Sequence, residues 1–173
     1  MKTDEAREIA DTITQGLRFS GSKGDWRDLS PQEADSDYSW SDDLLGRIVV
    51  LVGEESIVHV SGFAERDSNI YGEIVVFTVT RLIRASFTAA RTQGRSRLGL
   101  EAKVAAIGRA GIVGVRVEQV SPLGAAGTEA EWPVWSVAQV RLDDGTEFSM
   151  PLRKNPEMTD ESGSAEFVST LLR

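Results

Sequence analysis

From residue 44 onward, short apolar runs alternate with turn-forming residues at intervals of roughly ten residues. Most of these runs are long enough for one β-strand and too short for an average helix, so the pattern favours an antiparallel, mainly β (α+β) domain. We expect about seven strands, at residues 47–52, 57–64, 73–88, 98–107, 112–120, 134–142 and 146–152.

Three local patterns refine this prediction. The run 73–88 begins with apolar residues at both odd and even positions, which predicts a strand covered on both faces. In 112–120, valines alternate with polar or small residues, which predicts a half-buried strand with one wet face. Asp143-Asp144-Gly145 predicts a hairpin turn, because glycine readily adopts the positive φ that such turns need.

Helices are expected near both ends of the chain. Apolar residues spaced three and four apart predict an amphipathic helix over 4–17, capped by Thr3 and loosened near its end by Gly16. The same spacing from Ser164 predicts a short terminal helix, which is stable only when it packs on something. The predicted division is an N-terminal helix with an acidic arm, residues 1–43, followed by a β domain with its closing helix, residues 44–173.

One string of residues resembles a known superfamily. Gly72-Glu73-Ile74-Val75-Val76-Phe77-Thr78-Val79-Thr80-Arg81-Leu82-Ile83 is similar to the second and third strands of pleckstrin-homology-like domains of the bacterial and GRAM-type branches. The strand 112–120, the hairpin ending in Phe148 and the helix 165–172 follow in the order of that family. The resemblance implies a partly open antiparallel β-barrel plugged by a C-terminal helix, which binds phosphoinositides, peptides or partner proteins.

Several kinds of chemistry are disfavoured by the composition. The chain has no cysteine and a single histidine, His59, so we expect no disulfide, no thiolate nucleophile and no transition-metal site. Its motifs include neither a glycine-rich phosphate loop nor a serine elbow that could work with His59. The aspartates of residues 35–43 lack the glycine and glutamate of a calcium loop. We therefore predict a non-catalytic protein without a metal or cofactor.

Charge is distributed unevenly along the chain. The net charge of −8 argues against non-specific nucleic-acid binding. Residues 1–43 hold eleven acidic and five basic side chains, whereas residues 80–116 hold eight basic side chains and one acidic one. The acidic arm folds over the basic segment and masks it, mimics an anionic partner, or serves as a solvated tail.

The basic segment contains a candidate anion site. In a hairpin, the loop with Arg91, Arg95 and Arg97 would gather three guanidinium groups, and Arg81 and Arg84 precede it on the same run. Arginine pairs bidentately with phosphate or carboxylate, which makes this loop a candidate binding site. The simpler interpretation, which we favour, is that these arginines solvate outward faces or pair with acidic groups of the same molecule.

The sequence as a whole favours a binding or assembly module with a protein partner. Trp132 and Trp135 flank Pro133 and are candidates for a protein interface, because aromatic side chains often anchor such contacts. The alternative is a regulator that binds an anionic ligand, a lipid headgroup or a nucleic acid, through residues 81–116. Homo-oligomerisation is open, because exposed strand edges can pair with another chain. Since no apolar run is long enough to span a membrane and the N-terminus is unlike a signal peptide, we expect a cytoplasmic protein.

Overall fold

The computed structural model describes residues 1–19, 40–66, 68–91, 98–120, 136–150 and 152. In these residues the chain forms two α-helices, α1 (Thr3–Phe19) and α2 (Trp40–Val52). The strands are β1 (Ile57–Arg66), β2 (Ile70–Thr78), β3 (Arg81–Arg91), β4 (Leu98–Gly108), β5 (Ile112–Val120), β6 (Ser136–Leu142) and β7 (Glu147–Met150). A single 3₁₀ turn, Arg109–Gly111, joins β4 to β5.

The described strands form two antiparallel sheets, and within each sheet every strand pairs with the strands next to it in the chain. The large sheet has the order β1-β2-β3-β4, and the small sheet has the order β5-β6-β7. The sheets approach each other where the Leu152 N–H donates a hydrogen bond to Ser61 Oγ at 2.9 Å. The prediction of a mainly β chain is confirmed, but the described strands do not close into one barrel.

The large sheet is the middle of three layers. One of its faces packs against α1 and α2, and its core includes Ile74, Val76, Ile83, Ala85 and Phe87. The other face packs against the small sheet through Val75, Phe77, Leu82, Val140, Leu142, Phe148 and Met150. Residues 74–78 of β2 are therefore buried on both faces, as predicted for the start of this run. Burying each of these large apolar side chains contributes about 1.5–3 kcal/mol to folding.

The predicted N-terminal helix is confirmed as α1. Ile13 and Leu17 on its apolar stripe are fully or almost fully buried against the large sheet. Gly16 does not end the helix, because α1 continues to Phe19. Gly16 instead permits close packing on β1, since an added Cβ would lie 2.6 Å from Val60 Cβ.

The predicted strand 47–52 is wrong, because these residues form the second half of α2. Leu44, Leu45, Ile48, Val49 and Val52 recur at helical spacing and are all buried, a signal hidden by the β-branched run 48–50. Two acidic residues in the first turn suit the helix dipole. The helix crosses the predicted boundary between residues 43 and 44.

The end of α2 is set by Gly53. This residue has φ 64°, and its N–H donates to Val49 O at 3.0 Å. Such a left-handed glycine with a bond back to the last turn is a common way to end a helix.

The predicted single strand 73–88 is two strands, β2 and β3, which turn at Val79 and Thr80. The local sequence does not predict this turn, because it contains no glycine, proline or asparagine. Its polar groups are instead satisfied by Glu55, which is distant in sequence: the Thr80 N–H donates to Glu55 Oε2 at 3.1 Å. The number of strands among the described residues is seven, as predicted, because the predicted strand 47–52 belongs to α2 whereas the predicted strand 73–88 is two strands.

The strand 112–120 is confirmed as β5, but its predicted buried face is wrong. Val113 and Val117 are 51% and 46% exposed. Within the described residues β5 lies at the edge of the small sheet, and shifts of register after Ile112 and after Val117 interrupt the simple alternation of faces.

The predicted hairpin is confirmed as β6 and β7. Gly145 has φ 84°, and the Thr146 N–H donates to Asp144 Oδ1 at 2.8 Å. The terminal helix predicted from Ser164 lies outside the described residues.

Candidate functional site

Within the described residues, the small sheet covers only part of the large-sheet face that it meets. Near the turn at Val79 this face forms a dry core, but at the opposite end of the strands it lines a cleft of about 660 Å³. All four strands of the large sheet contribute to this cleft, through Phe63, Tyr71, Glu73, Ser86, Thr88, Glu101 and Lys103. We call it the open-face cleft.

The strand register arranges these side chains in rows across the sheet. Glu73 lies opposite Ser86, and Ser86 lies opposite Lys103. In the next row, Thr88 lies between Tyr71 and Glu101. Since directly opposed residues of antiparallel strands point to the same face, each row presents its polar groups together.

Glu73, which lines the open-face cleft, forms an ion pair with Arg84 beside it. Arg84 Nη2 donates to both carboxylate oxygens of Glu73, at 2.9 and 3.0 Å, and the two side chains are 28% and 27% exposed. The Arg84 guanidinium also lies over the Phe148 ring, 5.5 Å from its centroid. Arg84 therefore marks the border between the dry core and the cleft, with its charge already balanced by Glu73.

The two ends of the cleft differ in how firmly their polar groups are held. On the β1–β2 side, the Tyr71 hydroxyl donates to Glu65 Oε2. On the β4 side, Glu101 and Lys103 are exposed, and neither forms an ion pair with another described residue. The β4 side therefore offers one acceptor and one donor of opposite charge to an incoming molecule.

The lining of the cleft combines hydrogen-bonding and apolar side chains. Its hydroxyls and charges can form hydrogen bonds, and Phe63 adds apolar surface. In the described part of the chain no group of three acidic or histidine side chains could hold a metal ion. His59 packs against Phe77, with ring centroids 6.4 Å apart, and burial lowers its pKa to about 4, so it is neutral near pH 7.

The structure does not bring the predicted anion-binding arginines Arg81 and Arg84 together. They occupy positions of opposite parity on β3 and so point to opposite faces of the sheet. Arg81 Nε pairs with Glu55 Oε1 at 2.9 Å, and its Nη1 donates to Leu51 O at 2.8 Å near the end of α2. Each of these two arginines is therefore bound to a carboxylate of the same chain.

The other predicted site residues lie wholly or partly outside the described part of the structure. Arg91 ends β3, but its side chain lies outside the described part of the structure. Arg95, Arg97, Trp132 and Trp135 also lie outside it, so the candidate loop and the candidate tryptophan interface stay predictions.

Sequence reasoning missed most of the open-face cleft, although β3 carried a usable signal. Arg84, Ser86 and Thr88 alternate with Ile83, Ala85 and Phe87, which is the period-two pattern of a strand with one polar face. Treating residues 73–88 as one long strand obscured this alternation. Glu101 and Lys103 repeat it on β4.

A second concave surface lies between the start of α1 and the end of α2. It has a volume of about 640 Å³ and is lined by acidic residues, including Glu5, Glu8 and Glu54. Glu5 already accepts a hydrogen bond from the Lys2 N–H at 2.7 Å. The lining of this surface also includes Ile9, Thr12 and Ile57.

Neither described helix is long and apolar enough to cross a lipid bilayer. Comparison with known proteins gives no assignment: no family model, no curated protein and no solved structure matches this chain.

Proposed function

We propose that this chain is a non-catalytic binding or assembly module of the pleckstrin-homology-like kind, and that it engages a protein partner through the open-face cleft. The observation that carries the proposal is the face of the large sheet that meets the small sheet, where, among the described residues, a buried apolar core gives way to a cleft lined from four strands. Concave surfaces that combine aromatic and polar groups are typical of binding sites.

The architecture supports the pleckstrin-homology-like part of the proposal. Seven described strands run in chain order through sheets of four and three, as a partly open barrel would require. The bond from Leu152 to Ser61 brings the end of the small sheet to β1, so the two sheets meet on one side.

The charges of the cleft support a protein partner over a polyanion. Its lining includes Glu73, Glu101 and Lys103, and the nearby Arg84 is already paired with Glu73. A phosphate group or nucleic acid would meet two carboxylates there, whereas a polypeptide can present both signs of charge at the spacing of Glu101 and Lys103.

The test exchanges the two exposed charges of the cleft. The double variant Glu101→Lys/Lys103→Glu keeps the composition and net charge and reverses only their arrangement. The matched control, Asp43→Arg/Arg47→Asp, reverses an exposed ion pair on α2, where Arg47 Nη2 and Asp43 Oδ2 are 2.9 Å apart. Wild type and both variants would be used as baits in source-cell lysate at moderate salt, with the retained proteins identified.

We expect one specific protein to be retained by the wild type and the control and lost with the cleft variant. Equal retention by all three would show that the partner binds elsewhere and would refute the role of the cleft. Binding to vesicles containing phosphatidylserine would be measured in parallel. Loss of vesicle binding after Arg91, Arg95 and Arg97 are changed to Glu would instead support the anionic-ligand alternative.

A further inference from the structure

Among the described strands, β4 is one of the two edge strands of the large sheet, opposite β1. In the described residues β4 pairs with β3 on one side only, and the pairing runs without a register shift from Leu98 to Gly108. The strand contains no proline, and it lacks the bulges that usually protect an edge. By contrast β5, the edge of the small sheet, carries two register shifts.

The sequence of β4 is self-complementary in an antiparallel arrangement. If two copies pair about a two-fold axis at Ala102, Glu101 of each copy lies opposite Lys103 of the other. The same register places Leu100 opposite Val104, and Gly99 opposite Ala105. Both exposed charges then gain a partner of opposite sign, which neither has among the described residues.

The other face of β4 is suited to the same contact. Leu100, Ala102 and Val104 pack against the core beneath the helices but are only partly buried. A neighbouring strand would cover more of this apolar surface. The junction would therefore be apolar on its helix face and charged on its cleft face.

The position of α2 agrees with this geometry. The helix packs over β3 and β4. With strands about 4.8 Å apart, a helix centred over β3 and β4 would lie about 10 Å from its two-fold mate, which is a normal helix packing distance. α2 also carries Val50, which at 71% is the most exposed large apolar side chain described.

We propose that a second copy of this chain adds to β4 in antiparallel register about Ala102, joining the two large sheets into one. This inference goes beyond the proposed partner binding, and it is tested on the purified full chain alone. Although Glu101 and Lys103 serve both proposals, the double variant Glu101→Lys/Lys103→Glu keeps opposite charges at both dimer contacts, so loss of lysate binding in that variant does not count against the dimer.

The decisive experiment uses charge reversal in two separate variants. In a dimer of the Glu101→Lys variant, a lysine lies opposite a lysine at both contacts across the axis. In a dimer of the Lys103→Glu variant, a glutamate lies opposite a glutamate at both contacts. Each variant is expected to self-associate about tenfold more weakly than the wild type, because two attractive contacts become repulsive. An equimolar mixture restores opposite charges at both contacts, so the mixed dimer should form at least as well as the wild type. Sedimentation over a wide concentration range measures all three.

Cross-linking provides an independent check of the register, because the natural chain has no cysteine. Chains carrying Glu101→Cys and chains carrying Lys103→Cys should form a disulfide when mixed, since opposed positions lie about 4.5–5.5 Å apart. Each alone should cross-link less, because like positions are diagonal neighbours at about 7–8 Å. Val79→Cys, at an exposed turn position, is the control.

Two results would overturn the proposal. One is a monomeric wild type at every concentration tested. The other is a dimer whose strength is the same for either single reversal and for their mixture, since association through another surface would not depend on which charges oppose each other.

Discussion

Glu55 holds the turn between β2 and β3 from outside the hairpin, chiefly through Thr80. Its carboxylate accepts hydrogen bonds from the Thr80 N–H at 3.1 Å and from Thr80 Oγ1 at 2.8 Å. The same carboxylate accepts a bond from Thr78 Oγ1 at 2.6 Å and pairs with Arg81. The link between α2 and β1 is thereby fastened to the large sheet, and two predictions follow from this cluster.

The first concerns Thr78, whose side chain is completely buried. Thr78→Val keeps the shape of the side chain but removes the hydroxyl that donates to Glu55 and accepts from the Arg81 N–H. We expect the free energy of unfolding to fall by about 1–3 kcal/mol, because the remaining polar partners lose a bond. Urea denaturation measures this, and Thr12→Val, at an exposed hydroxyl of α1, should change stability by much less.

The second concerns acid sensitivity. Hydrogen bonds from Thr78 and then Thr80 lower the pKa of Glu55 below its usual 4.5. A carboxyl group with a lowered pKa in the folded state stabilises it above the unfolded-state pKa, and this contribution is lost as the pH falls through the folded-state value. Glu55→Gln should therefore flatten the decline in stability below about pH 4.5. An unchanged profile in urea titrations at several pH values would contradict this role.

His59 makes a prediction for a different pH range. Burial lowers its pKa from 6.5 to about 4, so the folded protein holds the neutral imidazole. As the pH falls below 6.5, the unfolded chain takes up a proton that the folded chain does not, and stability declines down to about pH 4. The loss is at most roughly 3 kcal/mol. His59→Leu should abolish the slope between pH 6.5 and pH 5, measured by thermal unfolding.

Two glycines give a matched pair of opposite predictions. At Gly72 an added Cβ would lie 2.2 Å from Phe63 O and 2.9 Å from Ala64 Cα, so Gly72→Ala must displace backbone of β1. We expect a loss of about 1–3 kcal/mol or more. At Gly46 in α2 an added Cβ meets nothing within 4 Å. Gly46→Ala should therefore stabilise the protein by about 0.5–1 kcal/mol, because alanine favours the helix. Similar effects in both variants would contradict the packing at Gly72.

Local patterns were sufficient where an element carries its own signals. α1 shows a helical stripe, and the β6–β7 hairpin has a glycine at the position that needs positive φ. Both were predicted with nearly the correct limits. The two-sided burial of β2 was also readable, because apolar residues occupy consecutive positions from Ile74 to Phe77.

Local patterns failed where the deciding contact comes from elsewhere in the chain. The turn at Val79 and Thr80 is stabilised by Glu55, and neither turn residue is of a type that predicts a turn. The β-branched run at the end of α2 favours a strand locally, whereas packing on β3 and β4 favours the helix. The open-face cleft arises from the register of four strands, which a single sequence does not fix.

The central position of β2 also determines how the molecule can open. Its amide groups pair with β1 on one side and β3 on the other, while both of its faces are covered near Val75 and Val76. If either the helices or the small sheet separated from β2, the other layer would still cover one face of this strand. Amide hydrogens of this segment therefore exchange with solvent only when the whole assembly of layers comes apart, and they report the stability of the entire fold.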